Sequence, residues 1–304
     1  MKAIDLFAGA GGFSTGAQMA GVEVVWAANH WQLAVQYHAE NHPGALHICQ
    51  DLHQADWSLL PGHDIGMASP CCQGHSKARG KDRPHHDLQR STAWAVVSCA
   101  EYHRQEFFVV ENVVDFMDWA LYPSWLDAMR RLGYAASENI IDAADHGVPQ
   151  HRERLFMVFS RSRSPIDLKL EKRPHIPVDS VIDWDCADWT SIDKPGRSPA
   201  TLARVASGRE RFGRRFVMPY YGSGSGKTGR SVHRPIGTIT TRARWAIVDG
   251  DRMRMLNRNE TKRIMGFPEE YALPPTLKAS THMLGNAVCP PVPADILTAL
   301  AARG

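Results

Sequence analysis

The chain has 304 residues, of which 43% are hydrophobic, and a formal net charge of +3 at pH 7. This length is sufficient for one large and one small domain, and the small net charge excludes a uniform polycation. No apolar stretch is long enough to span a bilayer. The six cysteines show no Cys-x-x-Cys spacing, so we expect a reduced, cytoplasmic protein with no metal site and no membrane partner.

The first predicted elements are a strand, a glycine-rich turn and a helix. Residues 2–8 are predicted to form the strand, Gly9-Ala10-Gly11-Gly12 the turn, and residues 13–20 the helix. Glycines at such a turn let backbone N–H groups approach a ligand closely. The spacing does not match Gly-x-Gly-x-x-Gly, which disfavours NAD and FAD and favours another nucleoside-bearing cofactor.

Two further strands are predicted at residues 22–29 and 45–52, with a helix at 31–41 between them. In an open parallel sheet, ligands bind at the carboxyl ends of the strands. We therefore expect Asn29 to contact a ribose hydroxyl and Asp51 to accept a hydrogen bond from an adenine amino group. For either residue alone, an ordinary cap at the strand end is an equally good interpretation.

A pair of cysteines follows the next predicted strand, residues 64–68. In Pro70-Cys71-Cys72-Gln73-Gly74, a thiol follows the carboxyl end of the strand. A nucleophile would lie in this place, facing the crevice of the sheet. Taken alone, a buried structural cysteine explains the residues equally well.

Three charged residues follow or precede apolar strands later in the chain. Glu111 comes directly after the apolar residues 107–110, and a carboxylate in apolar company favours a function over a solvated strand end. Arg152 and Arg154 alternate after Gln150, so we expect both on one face of the strand that leads into the next apolar run.

Two segments carry local positive charge. Residues 77–92 interleave basic residues with glycine, proline and histidine and lack apolar periodicity, which predicts a mobile lid. Residues 202–234 hold eight Lys or Arg residues against the single acid Glu210. Such a surplus suits contact with phosphates, and a solvated basic face is the alternative.

The ordered motifs resemble those of the DNA (cytosine-5)-methyltransferase family, nearly end to end. The matching segments are Asp5-Leu6-Phe7-Ala8-Gly9-Ala10-Gly11-Gly12, Pro70-Cys71-Cys72-Gln73-Gly74-His75-Ser76, Glu111-Asn112-Val113, Gln150-His151-Arg152-Glu153-Arg154 and Gly285-Asn286-Ala287-Val288. The family usually has Glu where this chain has Asn29, and Pro where it has Cys71. Cys72 is in register with the family nucleophile because it directly precedes Gln73.

The resemblance implies an α/β fold with a doubly wound, mostly parallel sheet of the S-adenosylmethionine-dependent methyltransferase type. It also implies a smaller, irregular target-recognition domain, for which prolines, glycines and tryptophans predict little regular helix. The expected division is a catalytic and cofactor-binding domain at residues 1–160, the target-recognition domain at 161–233, and a return to the catalytic domain at 234–304.

The resemblance also implies a set of site residues and a cofactor, S-adenosylmethionine. The expected cofactor-binding residues are Phe7, Gly9, Gly11, Asn29, Asp51, Pro70 and Asn286. The expected catalytic residues are Cys72, Glu111, Arg152 and Arg154. The expected DNA-binding residues are Arg79, Arg83 and Arg90 of the lid and Arg209, Arg211, Arg214 and Arg215 of the basic segment.

The implied reaction is methyl transfer to C5 of cytosine in double-stranded DNA, through a covalent bond between Cys72 and C6 of a flipped-out base. A tRNA cytosine-5 methyltransferase of related sequence is the alternative. We expect a monomer associated with the nucleoid of a bacterial or phage-infected cell. A restriction endonuclease acting on the same site is a candidate partner, and the recognised DNA sequence does not follow from the chain.

Overall fold

A computed structural model describes residues 1–71, 91–220 and 228–303. The strands in this part of the chain are β1 (Lys2–Leu6), β2 (Glu23–Asn29), β3 (Leu46–Cys49), β4 (Ile65–Ala68), β5 (Phe107–Asn112), β6 (Ala135–Asp142), β7 (Glu153–Ser160), β8 (Thr190–Ser191), β9 (Arg215–Pro219), β10 (Arg230–Ser231), β11 (Trp245–Asp249) and β12 (Arg252–Met255). The helices are α1 (Gly12–Met19), α2 (Gln32–Asn41), α3 (Trp94–His103), α4 (Tyr122–Arg131), α5 (Pro199–Phe212), α6 (Arg258–Ile264), α7 (Leu277–Gly285) and α8 (Pro291–Ala301). None of these helices is long and apolar enough to cross a membrane.

The chain divides into two compact units. The first comprises Met1–Asp142, Glu153–Lys172 and Ala287–Gly304, and the second comprises Ala143–Arg152 and Arg173–Asn286. The first unit therefore contains β1 to β7, α1 to α4 and α8, and the second contains the remaining elements. The three-part division expected from the sequence stays a prediction.

The first unit is built on a seven-stranded sheet with the order β3-β2-β1-β4-β5-β7-β6. The pairs among β1 to β5 are parallel, whereas β7 pairs antiparallel with both β5 and β6. This arrangement confirms the predicted α/β fold with a mostly parallel sheet. The chain moves outward from β1 in both directions, so the topological switch point lies at the carboxyl ends of β1 and β4.

Helices α1 and α8 pack very closely in the first unit. Gly12 and Gly16 make this approach possible, because a Cβ atom at Gly12 would overlap the carbonyl of Val288 and one at Gly16 would overlap the carbonyl of Pro290. The backbone segment that carries α8 therefore lies directly against α1. These two glycines are required for the contact and not for a turn.

The second unit is built on a five-stranded antiparallel sheet with the order β10-β9-β11-β12-β8. Its core includes Phe216, Met218 and Val248, and Val205 of α5 packs against them. The prediction of little regular helix between residues 161 and 233 is wrong, because α5 spans 14 residues. The residues that suggested irregular structure bound this helix: Pro199 occupies its first turn and Gly213 follows its last residue.

A buried ion pair joins β12 to α6 in the second unit. The Arg254 side chain is 3% exposed and that of Glu260 is 0% exposed, and two guanidinium nitrogens contact the two carboxylate oxygens at 2.7 and 2.6 Å. The same carboxylate accepts hydrogen bonds from the backbone N–H groups of Asp183 (2.9 Å) and Asn257 (2.8 Å). The Asn257 side chain in turn accepts from the Glu260 N–H, which completes a capping box at the start of α6.

Candidate active site

The turn between β1 and α1 has the backbone conformation that its glycines predict. Gly9 (φ 54°) and Gly11 (φ 74°) are both in the left-handed region, and the Gly11 N–H closes the turn on the Ala8 carbonyl at 2.8 Å. Phe7 is also left-handed (φ 62°) although it carries a side chain, which costs roughly 1–2 kcal/mol. Backbone strain of this kind is concentrated at functional sites.

A buried acid fixes the first helix on the first strand. The Asp5 carboxylate is 1% exposed and accepts hydrogen bonds from the backbone N–H (3.2 Å) and the hydroxyl (2.7 Å) of Ser14. The Ser14 hydroxyl also contacts Nε2 of His38 at 3.0 Å, and Nδ1 of His38 contacts His47 at 2.8 Å. The sequence analysis assigned no role to Asp5, although an acid within an otherwise apolar strand was a usable signal.

Asn29 and Asp51 end two neighbouring strand segments, and both cap local backbone. Oδ1 of Asn29 accepts from the Trp31 N–H at 2.9 Å. Oδ1 of Asp51 accepts from the His53 N–H at 3.0 Å and contacts the His53 ring at 2.9 Å. The backbone hydrogen bond from His53 lowers the pKa of Asp51, with the ring contact adding to the effect. Asp51 is largely exposed, so its carboxylate can still accept from a ligand, and Asn29 can donate through its amide nitrogen.

The carboxyl ends of β4 and β5 are joined by one side chain. The register pairs Ala68 with Val110, which places Pro70 opposite Asn112. The Asn112 amide is buried and donates to the Pro70 carbonyl at 3.1 Å, while its oxygen accepts from the Val113 N–H at 2.9 Å. The sequence analysis quoted Asn112 in a motif but missed this contact, which the parallel register of two adjacent strands predicts.

Two hydrogen bonds hold the residues that directly precede Cys72. The Cys71 N–H donates to Oγ1 of Thr92 at 3.1 Å, and Pro70 is held by Asn112. The predicted nucleophile Cys72 and the predicted lid residues Arg79, Arg83 and Arg90 lie outside the described residues.

Glu111 forms an ion pair with Arg154. The two side chains are 9% and 18% exposed, and Oε1 of Glu111 lies 3.3 Å from Nε of Arg154. The pair follows from the antiparallel register, because Glu111 is paired with Phe156 and Arg154 is two residues from Phe156 on the same face of β7. A carboxylate that is almost removed from water and held by one guanidinium has a fixed orientation.

Arg152 lies in different surroundings from Arg154. Strand β7 begins at Glu153, so Arg152 lies one residue before the strand, and the placement of both arginines on one face stays a prediction. Arg152 is buried in the second unit, where its guanidinium donates to the carbonyls of Ile239 and Gly285, both at 3.0 Å. Its guanidinium fixes these two backbone segments.

Gln150 supports the same segment as Arg152. It is fully buried, its side-chain oxygen accepts from the Ile239 N–H at 2.6 Å, and its amide donates to the Ile264 carbonyl at 3.4 Å. This role of Gln150 was not predicted. Asn286 ends α7 in the second unit, where its exposed amide lies 3.5 Å from Nε2 of His282.

Most of the predicted DNA-binding arginines that the structure describes form ion pairs with acids of the β11–β12 hairpin. Arg209 pairs with Asp251 at 2.8 Å, and Arg214 and Arg215 pair with Asp249 at 2.7 and 3.4 Å. Burial raises the pKa of Asp249, but hydrogen bonds from Arg214 and from Arg252 of β12 outweigh it and hold the pKa at about 2. The arginines remain between 41% and 73% exposed, and Arg211 is an exposed residue of α5.

Two tryptophan rings pack against the guanidinium groups of Arg215 and Arg252. The rings of Trp184 and Trp189 are stacked with centroids 6.1 Å apart. The guanidinium of Arg215 lies 4.4 Å from the ring centroid of Trp184, and that of Arg252 lies 4.6 Å from Trp189. Stacking on aromatic faces leaves guanidinium N–H groups available for phosphate oxygens.

Comparison with known proteins gives matches along most of the chain. The sequence model of the family described as C-5 cytosine-specific DNA methylase matches residues 1–183 and 200–302. The Type II methyltransferase M.AgeI of Thalassovita gelatinovora is 34% identical over 178 residues, which span 55% of this chain and 41% of that relative. The Type II methyltransferase M.HgiDI of Herpetosiphon aurantiacus is 28% identical over 293 residues, which span 95% of this chain and 90% of the relative. The crystal structure of Spodoptera frugiperda DNMT2 is similar in fold, with a TM-score of 0.74, 18% identity and 99% coverage of both chains.

Proposed function

Because the chain belongs to the family of C-5 cytosine-specific DNA methylases, we propose that it methylates C5 of a cytosine in double-stranded DNA, with S-adenosylmethionine as the methyl donor. The observation that carries the proposal is the pair of contacts at the carboxyl ends of β4 and β5. The Asn112–Pro70 bond fixes the backbone that leads into Cys72, and the Arg154–Glu111 pair fixes a carboxylate on the neighbouring strand.

The turn after β1 and the ends of β2 and β3 suit a nucleoside-bearing cofactor. Gly9 and Gly11 bring backbone close to the switch point of the sheet, and we assign Phe7 and Pro70 to the same pocket. The Asn29 amide nitrogen suits a ribose hydroxyl, and the exposed Asp51 carboxylate suits the adenine amino group. When bound, S-adenosylmethionine supplies a methyl group on a positively charged sulfur.

We propose that Asn286 also binds the cofactor. Its amide is exposed at the end of α7. A neutral amide at this position can contact the cofactor by hydrogen bonds without adding charge.

Activation of the base begins with Cys72. C5 of cytosine is a weak nucleophile toward a methyl sulfonium, so electron density must first be added to the ring. The Cys72 thiolate forms a bond to C6, and the electron pair of the C5–C6 double bond moves to C5. In its protonated form Glu111 hydrogen-bonds N3 and the exocyclic amine and donates its proton to N3, which neutralises the charge that accumulates on the ring.

The reaction ends with elimination. After C5 has received the methyl group, a base removes the C5 proton, the C5–C6 double bond forms again, and the bond between Cys72 and C6 breaks. Arg154 orients Glu111 and has further N–H donors for the base oxygen. The two carbonyl contacts of Arg152 favour a positioning role for this residue over direct contact with the base.

The target base must leave the duplex, which costs a few kcal/mol. We propose that the exposed arginines of the second unit contact DNA phosphates. Arg209, Arg211, Arg214, Arg215 and Arg252 carry five positive charges against the three acids Glu210, Asp249 and Asp251. The remaining positive charge makes binding dependent on salt. We further assign Arg79, Arg83 and Arg90 to the lid over the opened DNA.

The names of the relatives support a role in restriction and modification. M.AgeI and M.HgiDI are both Type II methyltransferases, so we propose that a restriction endonuclease acts on the same DNA site. We expect the protein to act as a monomer in the cytoplasm of a bacterial or phage-infected cell, close to the nucleoid.

The proposal is tested with radiolabelled S-adenosylmethionine and either duplex genomic DNA or tRNA. We expect label in DNA, and we expect Glu111→Gln to reduce transfer by roughly 100-fold or more. Bisulfite sequencing of a host that expresses the protein then gives the modified position and its sequence context. Label in tRNA alone would contradict the proposed substrate, and full activity of Glu111→Gln would contradict the role of the carboxylate.

A further inference from the structure

A second group of reactive side chains lies at the opposite edge of the first sheet. It consists of His63, which precedes β4, and of Cys99 and His103, which lie one turn apart on α3. One ligand atom from each of these residues lies within 4.8 Å of the other two. We call these residues the histidine–cysteine cluster. The chain between His63 and Pro70 spans roughly 20 Å when extended, so the cluster is remote from the contacts at the carboxyl ends of the strands.

The hydrogen bonds of His63 determine which ring nitrogen carries its proton. Nδ1 lies 2.9 Å from the carbonyl oxygen of Pro61. A carbonyl can only accept, so Nδ1 carries the hydrogen and Nε2 has a free lone pair. Nε2 is buried and has no hydrogen-bond partner among the described residues.

His103 has a similar arrangement. The backbone of Trp57 acts against the lowering of its pKa by burial, as expected of a carbonyl that faces a ring N–H. Its Nε2 is buried without a partner in the described part of the chain, so Nδ1 is the nitrogen that faces Trp57. A hydrogen bond from the second ring nitrogen to a backbone carbonyl is the usual way in which proteins orient a histidine that ligates a metal.

Two buried imidazole nitrogens without a hydrogen-bond partner among the described residues require an explanation. Leaving one buried acceptor unsatisfied costs about 1–3 kcal/mol, and native structures contain few such groups. Burial also lowers the pKa of both His63 and His103, so both rings are neutral at pH 7 and available as ligands.

Cys99 provides the third donor. It is fully buried, and its sulfur accepts a weak hydrogen bond from the Gln105 amide at 3.9 Å. Burial raises the pKa of this thiol to about 12, although the bond from Gln105 acts in the opposite direction. A cation bound at the sulfur removes this penalty, because the metal replaces the proton, which is released to solvent.

We propose that His63 Nε2, Cys99 Sγ and His103 Nε2 bind a zinc ion, with water in the fourth position. Imidazole nitrogen and thiolate sulfur are both ligands of Zn²⁺, which takes four ligands in tetrahedral geometry. Bond lengths of about 2.0–2.1 Å to nitrogen and 2.3 Å to sulfur place the ligand atoms about 3.3–3.6 Å apart. The ligand atoms already lie within 4.8 Å of one another, so binding of the ion draws them closer together.

The bound ion would cross-link the connection before β4 to the last turn of α3. This predicts a stabilising site and not a catalytic one, because the cluster lies at the amino ends of the parallel strands. The cysteine spacing predicted no metal site because the ligands come from two segments that are distant in the sequence and meet only in the folded sheet.

Cobalt is the direct probe of the site. Full-length protein treated with a chelator is titrated with Co²⁺. We expect one equivalent to give a sulfur-to-cobalt charge-transfer band in the near ultraviolet together with the visible bands of a tetrahedral complex. Cys99→Ser should lose the charge-transfer band, whereas Cys289→Ser, which changes a buried thiol outside the cluster, should retain it.

Zinc affinity is then measured by competition with a chromophoric chelator. We expect His103→Gln to weaken binding by at least about 100-fold, because loss of a direct ligand exceeds the 10- to 100-fold effect of losing an outer hydrogen bond. Added Zn²⁺ should raise the Tm of the native chain and leave that of His103→Gln unchanged.

Two results would overturn the proposal. One is the absence of a charge-transfer band at one equivalent of Co²⁺. The other is a band that survives in Cys99→Ser and disappears in Cys289→Ser or Cys72→Ser, which would place the metal elsewhere. If Cys99→Ser does not fold, the half-buried His63→Gln variant, checked by circular dichroism, provides the same comparison.

Discussion

The buried pair between Arg254 and Glu260 allows a quantitative prediction for the variant Glu260→Gln. The substitution keeps the size of the side chain but removes its charge. One amide N–H₂ group would then face the Arg254 guanidinium, and a buried positive charge would lose its anionic partner and one of its two close contacts at 2.6 and 2.7 Å. The backbone N–H groups of Asp183 and Asn257 would also compete for a single remaining acceptor.

The expected cost follows from the burial of both partners. Removing one partner of a buried ion pair costs about 3–5 kcal/mol, because the other charge remains without compensation. This is a large fraction of the 5–15 kcal/mol that is typical for the stability of a folded domain. The matched control is Asp251→Asn, which breaks the pair with Arg209. Asp251 is 93% exposed, so this change should cost less than about 1 kcal/mol.

Urea unfolding provides the free energies, and amide hydrogen exchange followed by mass spectrometry locates the effect. We expect faster exchange in Glu260→Gln for peptides from β12 and α6, and little change in Asp251→Asn. Equal and small losses of stability in the two variants would refute the reasoning, because burial would then have no influence on the strength of the pair.

Three further predictions concern the proposed chemistry and the arginine-rich hairpin. Cys72→Ser should reduce methyl transfer by at least about 1,000-fold while Cys71→Ser retains most of it, as measured by label incorporation; the opposite result would make Cys71 the nucleophile. Asn112→Asp should lower kcat by about 10- to 100-fold with little change in KM for DNA, because a carboxylate in place of the amide repels the Pro70 carbonyl and displaces the segment before Cys72; an unchanged kcat would show that this bond does not position the nucleophile. The folded-state pKa of Asp249, about 2, is below its ordinary value, so the stability that it contributes is present above about pH 4 and is lost as the pH falls toward 2. Urea unfolding between pH 5 and pH 3 should therefore show a smaller acid-induced loss for Asp249→Asn than for the native chain, and equal losses would contradict the assignment.

The sequence predicted the parts of the fold that depend on local pattern. The strand before Glu111 and the turn at Gly9 and Gly11 were correctly placed, because apolar runs and glycines act over a few residues. Helix α5 was missed because its bounding residues, Pro199 and Gly213, were taken as signs of irregular structure. The reading of such residues depends on whether they lie inside a helix or at its ends.

The contacts that the sequence did not predict are those made between distant segments. The ion pairs of Arg214 and Arg215 depend on an acid that β11 places beside them, so a local count of charge overestimated the positive surface. The bare nitrogen of His63 likewise becomes visible only when the partner of its other nitrogen is known. Pairing of this kind is determined by tertiary structure and not by spacing along the chain.

The close packing of α8 on α1 has a consequence for biosynthesis. Gly12 and Gly16 are synthesised well before the segment that packs against them, because most of the chain lies between the two. A nascent chain that has not yet reached α8 therefore leaves this side of α1 uncovered. The native packing of α1 is completed only after α8 has left the ribosome.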